Sequence, residues 1–78
     1  YPNPFHTDFM LKYYLHANAR VQVRLLDLNG RVIEAQNLGR QATGLHIVEF
    51  SQPQLANGMY IAELSVNGRT TTQRMIKY

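Results

Sequence analysis

Apolar residues in this chain recur at every second position, in short runs cut off by Gly, Asn and Pro, and hardly anywhere at helical spacing. Successive side chains of a strand point to opposite faces, so this pattern asks for half-buried strands. The alternation predicts strands at about 9–15, 20–27, 31–37, 45–50, 59–66 and 70–77, with an extended entry segment "YPNPF" that could supply a seventh. Its expected inward set is Leu11, Tyr13, Leu15, Val21, Val23, Leu25, Ile33, Val48, Phe50, Leu55, Tyr60, Leu64 and Met75; Phe9 shares the face of Leu11, and Ala62 and Val66 that of Tyr60. Six or seven short strands, each with one apolar face, bury that face by stacking as two antiparallel sheets. The fold class is all-β.

Turn chemistry sharpens the pairing. In "DLNG", Asp27 to Gly30, a two-residue Asn-Gly turn would set Leu25 opposite Glu34, mixing core with charge. A type I turn with Gly30 as a left-handed bulge instead sets Leu25 against Ile33, Val23 against Ala35, Arg24 against Glu34 and Gln22 against Gln36. Pairs match in kind only in that register, which is therefore the expected one. "LGRQATG" reads as a polar loop, and Pro53 ends the fourth strand. "VNGR" closes a second hairpin. A type I′ turn there pairs Leu64 with Thr71 and Tyr60 with Met75, whereas a bulged alternative pairs Tyr60 with Arg74. In "QLANGMYIAEL", Leu55 is expected to anchor a loop in the core, and Asn57-Gly58 to supply positive φ.

A chain of 78 residues is one small domain at most. It buries roughly 60 to 65% of its unfolded surface, which leaves a thin stability margin. There is no cysteine to staple it, which is unusual in a free-standing secreted mini-protein. The chain opens on Tyr1 with neither initiator methionine nor signal peptide, and no apolar run is long enough to span a membrane. It reads as a module of a longer protein. The net charge of +3 is spread over eight basic residues interleaved with five acidic ones. Such scatter is a solvated surface and not a nucleic-acid footprint.

Chemistry finds little to use. Ser51 and Ser65 are the only serines, His6, His16 and His46 stand far apart, and neither carboxylate pairs nor phosphate loops occur. No catalytic residue, metal ligand or cofactor is expected. Tyr13 and Tyr14 are adjacent, so one belongs to the core and the other to the surface, where it could stack on a sugar.

Five motifs in order, "YPNPF", "VQVRLLDLNGRVI", "GLHIVEF", "LANGMYIAEL" and "TQRMIKY", resemble the C-terminal sorting domain (type A) of type IX secretion cargo in Bacteroidetes, over essentially the whole chain. Pro2, Asn3 and Pro4 match its opening motif, and Asp27, Gly30, Arg31 and Val32 its Asp-x-x-Gly-Arg-Val turn. Leu55, Gly58, Tyr60 and Leu64 match its Leu-x-x-Gly-x-Tyr motif, and Arg74 and Lys77 its basic last strand. The family often has Lys where Arg74 stands, and this chain runs one residue past Lys77.

The resemblance implies an immunoglobulin-like β-sandwich without enzymatic activity, placed after an N-terminal cargo domain. It implies passage through the periplasm, export by the type IX translocon, removal by a sortase-like peptidase, and cargo that is released or joined to lipopolysaccharide at the cell surface. Arg74 and Lys77, expected to be exposed, are the candidates for translocon contact; weak self-association stays open. The competing reading is an immunoglobulin-like module that binds carbohydrate or protein, because sandwiches host both functions.

Overall fold

The computed structural model describes residues 9–77. Six strands follow one another: β1 (Phe9–Leu15), β2 (Ala19–Leu26), β3 (Val32–Gln41), β4 (Gly44–Phe50), β5 (Gly58–Val66) and β6 (Arg69–Lys77). β1 and β4 form a two-stranded sheet; the other four form a second sheet in the order β3-β2-β5-β6. All pairs are antiparallel. The result is the all-β, sandwich-like arrangement that the alternation predicts. The entry segment lies outside the described residues, as do Pro2, Asn3, Pro4 and His6.

The alternation survives in detail. β1 is buried at every second residue, from Phe9 to Leu15, and Tyr13 is core where Tyr14 is exposed. Ten members of the expected inward set are buried, while Ile33, Leu55 and Leu64 are half-buried and pack against that core. Phe9, Ala19 and Ala62 join it, and Phe50, Val21, Val23 and Leu25 are fully enclosed. The β5–β6 hairpin has the type I′ register, with Leu64 opposite Thr71 and Tyr60 opposite Met75. Asn67 (φ +50°) and Gly68 (φ +84°) supply the positive φ values that this turn demands.

The first hairpin corrects the expected register. Its turn is as argued: Gly30 is left-handed at φ +87°, and the Gly30 amide donates to the Asp27 carbonyl at 3.0 Å. The expected register holds for one strand pair, Leu26 opposite Val32. A bulge then skips Ile33, so Leu25 faces Glu34, Arg24 faces Ala35 and Val23 faces Gln36. A second bulge skips Leu38, and β3 runs on to Gln41 through most of the segment expected to be a polar loop. The two skipped residues are the ones that pack inward. Bulges on an edge strand bend it and re-aim side chains, so β3 trades matched pairing for two apolar contacts. Glu34, left opposite Leu25, is served at the rim: its carboxylate accepts from Gln36 Nε2 and from Gln52 Nε2, each at 2.7 Å. Arg24 pairs across β5 instead, with Glu63 at 2.6 Å.

Candidate functional site

The pairing registers bring distant motifs to one end of the sandwich. The last pair of β2 with β5 is Leu26 with Ile61, close to the start of β5, and Gly58 pairs with Lys77 at the end of β6. Phe9 pairs with Phe50 and meets the Tyr60 ring edge-on, at a centroid distance of 5.4 Å. The turn at 27–31, the loop at 51–57, the start of β5 and the end of β6 therefore share a pole. Among the described motif residues Leu64 alone lies in mid-sheet, opposite Val23 and Thr71.

At this pole the turn is knotted by Asp27. Its Oδ1 accepts from the Asn29 and Arg31 amides at 2.9 Å, and its Oδ2 meets Arg31 Nε at 3.3 Å. An aspartate accepting local amides fixes a turn that only a glycine at Gly30 can finish. The loop between β4 and β5 is held from beneath. Leu55 packs on the core, the Tyr60 hydroxyl donates to the Ala56 carbonyl at 2.6 Å, and the Lys77 ammonium donates to the carbonyls of Gln52 (2.8 Å) and Leu55 (2.6 Å). Of Asn57-Gly58, only Gly58 has positive φ, at +148°.

Lys77 thus departs from its expected place. It is buried, 7% exposed, and its ammonium donates to loop carbonyls instead of being presented to solvent. The reason is periodicity: Met75 points inward, so Lys77 does too. Alternation alone carried that signal. Gln52 and Glu34 carried none, since side-chain contacts between residues so far apart leave no mark in a sequence. Arg74 is exposed, opposite Ile61 on the outer face, and makes no ion pair among the described residues.

The described histidines are occupied locally. His46 stacks on Tyr13, with ring centroids 5.4 Å apart, and Nε2 donates to the Ala42 carbonyl at 2.6 Å; His16 lies against Tyr14. Among the described residues no cluster of three His, Cys, Asp or Glu side chains could hold a metal. No described helix is long and apolar enough to cross a membrane.

A family model, the secretion system C-terminal sorting domain, matches residues 1–78. The chain belongs to this family. Comparison with curated proteins and with solved structures returned no match. As a type IX sorting domain, the chain is of a kind that is in general non-catalytic, and it marks a protein for export to the outer membrane or cell surface. In this sorting domain the motif residues 27–31 and 55–60 are the carpentry of one pole, and only Arg74 of the two basic candidates is presented to solvent.

Proposed function

We propose that residues 1–78 are a single sorting domain at the C-terminal end of a longer secreted protein, and that they carry this cargo from the periplasm across the outer membrane through the type IX translocon. A sortase-like peptidase then removes the domain, and the cargo is released or joined to lipopolysaccharide. The observation that carries this reading is the family match along the whole chain. The gathering of the motif residues at one pole supports it, because residues spread over fifty positions can act together only if the fold unites them. Arg74 meets the machinery directly; Lys77 acts by holding the loop at 51–57 in place.

The test is a reporter fused ahead of Tyr1, with a periplasm-directing signal, in a host with type IX machinery. The reporter should appear outside the cells, and removal of residues 1–78 should hold it in the periplasm. Because Lys77 is buried, Arg74→Gln alone probes recognition, since exposed substitutions usually change stability by no more than about 0.5 kcal/mol. That variant should fold normally and be exported more slowly, most visibly at low ionic strength. Export that survives loss of the whole domain would reject the sorting role in favour of a binding module.

A further inference from the structure

The outer face of the four-stranded sheet changes character along its length. Toward the β5–β6 turn its cross-strand rows are polar: Gln22, Ser65 and Thr70, then Arg24, Glu63 and Thr72. The next row, running β3-β2-β5-β6, is Val32, Leu26, Ile61 and Arg74, and beyond it Met59 pairs with Ile76. Val32, Met59 and Ile76 are 42%, 39% and 48% exposed, and Leu26 is buried without belonging to the core cluster. An antiparallel sheet with one solvated face keeps that face polar. Here it is polar for half its length and apolar for the half that ends at the motif-bearing pole. Contiguous apolar surface on a small domain marks an interaction site; the outer face of the two-stranded sheet exposes Tyr14 and Leu45 still more, but that pair lies at the end away from the motif-bearing pole.

Charge narrows the occupant. Arg24 and Glu63 neutralise each other, whereas Arg74 ends the apolar row with no ion pair among the described residues. We propose that this face, from Val32 across to Arg74 with Met59 and Ile76, docks an apolar protein surface of the export machinery that presents a carboxylate to Arg74. The proposal rests on the export reading above. A second copy of the domain fits worse, because a two-fold contact would bring two Arg74 cations to rows that hold no carboxylate. A lipid surface fits worse too, since anionic headgroups are held by clusters of cations and the apolar half of this face offers Arg74 alone among the described residues.

The experiment uses the same reporter fusion with two double variants, Arg74→Glu/Ile76→Thr on this face and Tyr14→Thr/Ile47→Thr on the exposed face of the two-stranded sheet. Thermal unfolding of each purified domain guards against misfolding. The first variant should lower export at least tenfold while melting within a few degrees of the parent, and the second should be exported normally. Normal export of a well-folded first variant, with the domain deletion still trapped, overturns the docking face and leaves the sorting role intact. Equal loss from both variants overturns the assignment to this face. Binding of the parent domain to phosphatidylglycerol vesicles, or its dimerisation in sedimentation, abolished in either case by the first variant, overturns the choice of occupant.

Discussion

The two ends of the sandwich solve one problem, how to close a layered core with polar chain, and solve it differently. At the motif-bearing pole the closing groups are long side chains rising from strand positions: Tyr60 and Lys77 reach the carbonyls of Ala56, Gln52 and Leu55, and all of these contacts are half-buried. At the opposite pole short asparagines do the work in the open. Asn18 Oδ1 accepts from the Thr43 amide at 3.0 Å, and Asn67 Oδ1 accepts from the Arg20 amide at 2.9 Å, both exposed. A hydrogen bond within reach of water is replaceable, whereas a buried carbonyl that loses its donor bears the full cost of its desolvation. The first pole therefore closes its loop with half-buried polar contacts, and the second closes its turns with exposed ones.

Lys77→Met is the strongest challenge to that contrast. It keeps the length of the side chain and takes the ammonium from two carbonyls, of which that of Gln52 keeps the Leu55 amide (3.2 Å), so it should cost about 2 kcal/mol, read from urea unfolding. Against a total margin of roughly 5–15 kcal/mol that is severe, and a loss below about 1 kcal/mol would show that the two poles are equivalent. Gly30→Val tests the turn knotted by Asp27. No atom obstructs a new Cβ there, but φ is +87°, so backbone strain alone should cost about 1–2 kcal/mol in the same assay. Asn18→Ala, at the other pole, should cost no more than about 1 kcal/mol, because water can replace its bond to Thr43. A larger loss would erase the distinction.

The mildest effect involves Tyr13, which leans toward the asparagine pole and donates its hydroxyl to Gln41 Oε1. Burial pushes its phenol above the usual 10.0. The folded form then holds the proton more tightly than the unfolded one, so stability is level below about pH 10 and falls above it, until the folded phenol itself ionises. Chemical denaturation between pH 8 and 11 should show this fall, and Tyr13→Phe should remove it.

Much of the fold was legible because alternation is a local rule. Each strand was placed to within a residue or two, except that β3 runs on to Gln41, and Tyr13 and Tyr14 were sorted to opposite faces. The Asn67-Gly68 turn left two registers open, and the chain takes the I′ one, with positive φ at both turn residues and Tyr60 opposite Met75. The Gly30 hairpin was half legible. Its turn was right, but matching pairs in kind assumed one bulge where β3 has two more, each drawing an aliphatic residue inward. An edge strand has a partner on one side only, so its register yields to packing more easily than that of a central strand. Lys77 shows the same limit from another side. Its charge suggested solvent, its position suggested the core, and position prevailed because two carbonyls were waiting for it.

That lysine also sets a timetable. Gln52 precedes it by 25 residues, so the loop over the core, which Tyr60 already holds at Ala56, lacks its last tether until almost all of β6 has emerged. A nascent chain that has delivered everything up to Val66 still has a sheet without its last strand and a loop without the Lys77 ammonium. Completion thus waits for the final few residues of the described chain. Sheet edge and loop are thus joined by one side chain at the end of the described residues.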